Sequence, residues 1–129
     1  MSRKFIETFS DSTSRSLTSA QSGSLIFIDT TSAEVTVNLP PPEAGLHYEF
    51  LISHTATNAN DFLLKSVNSS YTHTALMYLG RLSGSVGKTL TITSSGQTNL
   101  GDRVLLDCNG SNWFVSLKTE NIVNYTLTA

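Results

Sequence analysis

Between Gly23 and Ser53 the chain reads GSLIFIDTTSAEVTVNLPPPEAGLHYEFLIS, and much of it changes character at every second residue. Val35, Val37 and Leu39 alternate with Glu34, Thr36 and Asn38. Leu46, Tyr48, Phe50 and Ile52 alternate with His47, Glu49, Leu51 and Ser53. In an extended chain successive side chains point to opposite faces, so a period of two buries one face of a strand and wets the other. A strand expected over Leu25 to Asp29 is instead a continuous apolar run, the pattern of burial on both sides. Pro40, Pro41 and Pro42 lack backbone donors and hold φ near −65°, so pairing must stop there, and Gly45 restarts the chain.

The same reading extends downstream. FLLKSV (Phe62 to Val67) predicts a fourth strand after a polar loop over His54 to Asp61, and Asn68 to Thr74 is a second loop. In Ala75 to Leu82 the residues Leu76, Leu79 and Leu82 have helical spacing, but Gly80 weakens a helix by about 1 kcal/mol, so the segment reads as strand or irregular. Gly84 and Gly87 bound a predicted turn, and Lys88 to Thr93 alternates with Leu90 and Ile92 inward. Arg103 to Asp107 and Trp113 to Leu117 flank Asn109-Gly110-Ser111-Asn112, where an Asn-Gly pair that tolerates positive φ signals a hairpin. The tail, with Ile122, Val123, Tyr125 and Leu127, predicts a closing strand. Seven or eight short strands at this spacing imply an all-β fold, an antiparallel β-sandwich or jelly-roll-like barrel, as one domain over residues 21–129.

Residues 1–20 read as an extended N-terminal arm. Phe5, Ile6 and Phe9 are apolar anchors in a polar lead, while Ser10 to Ser24 has only Leu17 and Ala20 as apolar members. Such a segment cannot bury enough apolar surface to fold alone and must lean on its own domain or on a neighbour.

Charge argues mainly by exclusion. Charged residues make up 14% of the 129 and the net charge is −2 with no run of either sign, so nothing attracts a phosphate backbone and no nucleic-acid partner is expected. Ser and Thr fill the deficit, as suits the wet faces and turns of sheets. Cys108 is the only cysteine, which leaves no intrachain disulfide and no thiolate metal site. The first residues, MSRKFIETFSDS, hold no apolar run long enough for a secretory signal or membrane span. Without such a signal, the glycosylation-type triplets at Asn68, Asn109 and Asn124 read as chance.

Candidate chemistry is sparse. Gly87-Lys88-Thr89 mimics the end of a phosphate-binding loop, but that motif needs a glycine where Leu82 stands and a helix after it, so a turn entering a strand is the better reading. His47, His54 and His73 match no metal-binding spacing, and His47 belongs to the wet face of its strand. The fold could bring the carboxylates Asp29, Glu49 and Asp107 together for acid–base work. Cys108 has no neighbouring His or Lys in sequence to activate it. Trp113 could stack on a sugar or a base, though a tryptophan beginning a strand more often packs the core. No cofactor and no catalytic residue are expected.

A wider pattern carries a resemblance. Leu17-Thr18-Ser19-Ala20-Gln21-Ser22-Gly23, an apolar strand ending in Asp29, Val35-Thr36-Val37-Asn38-Leu39-Pro40 and Gly45-Leu46-His47-Tyr48-Glu49-Phe50 are followed by Gly101-Asp102-Arg103-Val104 and Asn109-Gly110-Ser111-Asn112-Trp113-Phe114-Val115. Over residues 17 to 117 this resembles the small β-modules of tailed-bacteriophage virion proteins: capsid decoration (cement) proteins, head fibres and parts of tail fibres. The resemblance implies a non-enzymatic virion protein, often trimeric. A single module without coiled-coil heptads or collagen-like triplets suits a decoration protein on the outer capsid surface, with the major capsid protein as partner, a homotrimeric state, no membrane, and docking through Phe5, Ile6, Phe9 and Leu17 of the arm. Two rival expectations are a host-receptor or glycan-binding tip exposing Trp113, Tyr71 and Tyr78, and a small β-sandwich hydrolase with clustered carboxylates or a His in a cleft.

Overall fold

The chain changes sheet at nearly every step. The structure is a computed structural model, and the residues it describes are 6–54, 60–67, 75–79, 85–93, 100–119 and 125–129. The strands are β1 (Ile6–Phe9), β2 (Arg15–Ser16), β3 (Leu25–Ile28), β4 (Val35–Asn38), β5 (His47–Ile52), β6 (Phe62–Lys65), β7 (Met77–Leu79), β8 (Ser85–Gly87), β9 (Thr89–Ile92), β10 (Arg103–Cys108), β11 (Trp113–Lys118) and β12 (Tyr125–Thr128), with one 3-10 turn at Ser19–Gln21. They form two sheets, ordered β1-β3-β5-β10-β11-β7-β8 and β12-β9-β6-β4-β2. The all-β sandwich expected from the alternation is the fold observed.

The sheets are mixed rather than antiparallel. β1, β3 and β5 run parallel in the first sheet, and β2, β4 and β6 run parallel in the second. The reason lies in the connections. A hairpin reverses direction within one sheet, whereas a chain that crosses to the other sheet and returns re-enters the first in its original direction. Residues 6–65 thus wind as three two-strand turns. β10 on β5, β11 on β10, β9 on β6 and β12 on β9 are antiparallel, while β7 runs parallel to β11 and carries β8 antiparallel at the end of the first sheet.

The proline stretch makes one of these crossings. Leu39 N–H still donates to the Lys65 carbonyl at 2.8 Å, after which the prolines offer no donors and the ladder ends. Gly45 then turns at φ 90° and donates to the Cys108 carbonyl at 3.0 Å, delivering the chain to β5.

Side chains from both sheets meet in one core. Ile26, Ile28, Tyr48, Phe50, Val104, Leu106 and Trp113 come from the first sheet, and Val35, Val37, Phe62, Leu64, Leu90 and Ile92 from the second. The rings of Phe50 and Phe62 meet across it with centroids 5.5 Å apart. Leu25 and Phe27, expected to be buried like the rest of their run, instead alternate with Ile26 and Ile28 and remain partly exposed on the outer side.

Of the two supports open to the N-terminal segment, its own domain is the one seen. β1 lies on β3, β2 lies on β4, and Leu17 N–H continues the second ladder to the Asn38 carbonyl at 2.9 Å. Arg15 bonds Asp11 at 2.8 Å and stands over the Phe9 ring, 5.3 Å from its centroid.

The Asn-Gly hairpin forms as read. Gly110 takes φ 102°, and the Asn109 side-chain oxygen accepts from the N–H groups of Ser111 (3.0 Å) and Asn112 (2.9 Å). Asn112 also ties in β7: its side-chain oxygen accepts from Leu76 N–H at 2.9 Å, while Trp113 N–H donates to the Leu76 carbonyl at 2.8 Å. The turn expected between Gly84 and Gly87 is largely strand, because β8 pairs with β7. There the two sheets join: Lys88 passes from β8 to β9 and donates its N–H to the Thr128 carbonyl at 2.7 Å.

Two substitutions test this packing. A Cβ on Gly87 would collide with the backbone carbonyl of Thr128, so Gly87→Ala should cost about 1–3 kcal/mol in a urea melt, in line with overpacking a tight site. Trp113 is fully buried and packs at a tilt against Tyr48, with ring centroids 5.9 Å apart and planes 41° from parallel. Trp113→Ala should therefore lower stability by about 3–5 kcal/mol, seen as a large fall in melting temperature.

Candidate interaction surface

The outer face of the first sheet, turned away from the core, is assembled from residues that stand opposite one another in register and so share a face. One row runs Leu25–Glu49–Leu105–Ser116. A second runs Phe27–Leu51–Arg103–Lys118, and a third His47–Asp107–Phe114–Tyr78–Val86. Leu25, Phe27, Leu51 and Leu105 are half-buried, and Phe114, Tyr78 and Val86 are exposed. Tyr78 and Phe114 stack with centroids 5.7 Å apart and planes 20° from parallel.

Glu49 is the anomaly of this face. Its alternation turns it outward, yet it is only 4% exposed, and its carboxylate is ion-paired with the Arg103 guanidinium. A carboxylate shielded from water needs such a charged donor, because its desolvation is otherwise uncompensated. At the end of the face beyond this pair, His47 Nδ1 and Asp107 Oδ1 lie 2.8 Å apart.

The remaining sequence candidates are dispersed. Glu49 and Asp107 share the outer face but are taken by Arg103 and His47, and Asp29 caps a turn, its carboxylate accepting from Thr31 N–H at 2.9 Å. Hydrogen bonds from Thr31 hold the Asp29 carboxyl below its usual range. His54 is buried and bonded to the Thr30 hydroxyl at 3.1 Å, bracing the turn that follows β3. Cys108 is buried at the end of β10 opposite Trp113. Gly87-Lys88-Thr89 is the crossing between β8 and β9, with a strand where a phosphate loop has a helix. Among the described residues no cluster of three His, Cys, Asp or Glu side chains is placed to hold a metal ion. His73 and Tyr71 lie outside the described residues.

The arm residues also part company. Ile6 is 65% exposed on the outer face of β1, opposite Leu25, whereas Phe9 at 5% and Leu17 at 1% are core residues. β1 adds to the first sheet and β2 to the second, so Phe9 and Leu17, which follows β2, turn inward and are not exposed anchors. Phe5 lies outside the described residues. Trp113, expected on the same surface as Tyr78 in a glycan-binding tip, faces the core instead.

One cluster escaped sequence reasoning. The Asp102 carboxylate accepts from both Thr119 Oγ1 and the Tyr125 hydroxyl at 2.7 Å, tying β12 to the β10–β11 pair. Burial, with the Asp102 carboxylate beside it, raises the Tyr125 phenol far above its ordinary range and keeps it a donor. The apolar residues of the tail signal a closing strand, but nothing in them marks the Tyr125 hydroxyl as a partner of Asp102.

No protein-family model matches the chain, and no curated protein matches it significantly.

The ion pair sets an expectation of non-additivity. Arg103→Met should cost about 1–3 kcal/mol, less than the 3–5 kcal/mol of a fully buried pair because solvent reaches Arg103. Glu49→Met combined with Arg103→Met should recover most of that loss. Urea denaturation of Arg103→Met, Glu49→Met and the double variant at one protein concentration checks this, and a double variant as unstable as the sum of the two singles would contradict it.

Proposed function

We propose that this chain is a structural protein of a virus particle, a capsid decoration protein that binds the outer surface of the assembled shell through the major capsid protein. The resemblance of residues 17 to 117 to phage virion modules supports the reading. The observation that carries it is the pair of open edges left by the first turn of the chain. β1 and β2 end their respective sheets at the same side of the sandwich, with no further strand beyond either among the described residues. An edge strand presents its outward N–H and C=O groups as a template for a strand of another protein, and Ile6 adds exposed apolar surface beside β1.

Glu7 tunes this edge. It stands opposite Ile26, on the core-facing side of β1, yet is exposed. A charge pointing inward at an edge strand discourages indiscriminate strand-to-strand pairing, so the edge favours a partner that can accommodate the carboxylate. The stabilising mechanism is linkage: a protein that binds only the assembled shell lowers that state's free energy by its binding energy at every site.

Co-sedimentation with shells of the virus that encodes the protein tests the reading. Wild-type protein should pellet with shells and raise their melting temperature. Ile6→Lys should weaken pelleting about tenfold, roughly 1.4 kcal/mol, while leaving the protein's own melting temperature unchanged. Failure of the wild-type protein to bind shells would overturn the assignment.

A further inference from the structure

We propose that two copies of the chain pair through the outer faces of their first sheets, about a two-fold axis that crosses the strands at the level of Leu105. This contact is separate from the open edges of β1 and β2, and it differs from the trimer that the resemblance implies.

Charge complementarity along one strand favours this pairing. The outward residues of β10 are Arg103, Leu105 and Asp107: a cation, an apolar residue and an anion at equal spacing. Such a triplet is its own complement when the second copy runs antiparallel. Leu105 then meets Leu105, and Arg103 of each copy faces Asp107 of the other.

The flanking strands obey the same operation. The row Phe27–Leu51–Arg103–Lys118 comes to lie over the row that holds His47, Asp107 and Phe114. Lys118 of one copy is thereby set over the exposed Phe114 ring of the other, a cation–π arrangement. Leu51 is set over His47, and Leu25 and Leu105 of both copies close around the central row. Two sheets packing face to face in this way match the ordinary geometry of a sandwich, about 10 Å apart and rotated by roughly 30°. An isologous contact also requires a self-complementary patch, which is what the β10 triplet supplies.

The burial of Glu49 fits the same picture. Its ion pair with Arg103 is already withdrawn from water within one copy, so covering the middle of the face adds little further desolvation of that carboxylate. Arg103, with its side chain 38% exposed, retains surface to offer Asp107 of the second copy.

Sedimentation velocity on the full chain at micromolar concentration should give a dimer. Leu105→Arg should be monomeric, because it sets two cations on the axis, and Leu105→Glu should be monomeric for the same reason with anions. An equal mixture of the two variants should restore a one-to-one dimer, which only a contact that brings the two copies of residue 105 together can do. Asp107→Arg should raise Kd at least about tenfold by facing Arg103 with a like charge. Circular dichroism melts of each variant separate lost pairing from lost folding. Should a variant fail to fold, hydrogen exchange of the wild-type chain at low and high concentration reads the same contact, with slower exchange in β10 and β11 expected at high concentration. A wild-type monomer, a trimer, a dimer that survives Leu105→Arg, or no rescue in the mixture would each overturn the proposal, and concentration-independent exchange would do so as well.

Discussion

Everything in this fold follows from the way β3, β4, β5 and β6 share one core while belonging to different sheets. Each crossing turns an alternating sequence through the interior, so Val35 and Val37 of β4 meet Ile26, Ile28 and Phe50 of the strands on either side in the chain. Parallel pairing in both sheets is then a consequence rather than an independent choice. The prolines after Leu39 and the positive-φ glycine at position 45 matter for the same reason: they stop one ladder and aim the chain at the other sheet.

Such winding leaves edges, and the two ends of the sandwich treat them differently. At one end β8 passes directly into β9, and the Thr128 carbonyl closes the seam against Lys88. The opposite end stops at β1 and β2. Short strands, an inward carboxylate at Glu7 and an arginine engaged with Asp11 and Phe9 blunt that end. These are the devices by which sheet proteins keep an open edge selective.

Much of the fold was legible because period-two patterning is a local signal. β4, β5, β9 and the β10–β11 hairpin stand where alternation and the Asn-Gly pair placed them. Strand direction was not legible, since the alternation of Leu46 to Ser53 reads the same in a parallel or an antiparallel ladder. β1 and β2 were missed as strands because their short sequences are mostly polar and owe their conformation to β3 and β4. The outer face was hidden for a related reason. Leu25 and Phe27 made a continuous apolar run that suggested burial, when half of it faces outward, and Glu49 looked like an ordinary wet-face residue. Its partner Arg103 is far away in sequence, and only the register of β5 on β10 brings the two together.

That register also sets the order in which the protein can be completed during synthesis. The three parallel turns emerge first, but β5 and β6 border bare edges until β10 and β9 arrive to cover them. A nascent chain that has produced residues 6–65 therefore presents two strands each paired along one edge only, and the non-local pairing that covers the other edge forms slowly because loop closure must precede it. The C-terminal half, entering through β10 and β9 antiparallel to β5 and β6, acts as an intramolecular lid on a growing stack. Its late arrival ends the addition of strands to that side, fixing the sheets at a finite width in a winding pattern that could otherwise propagate.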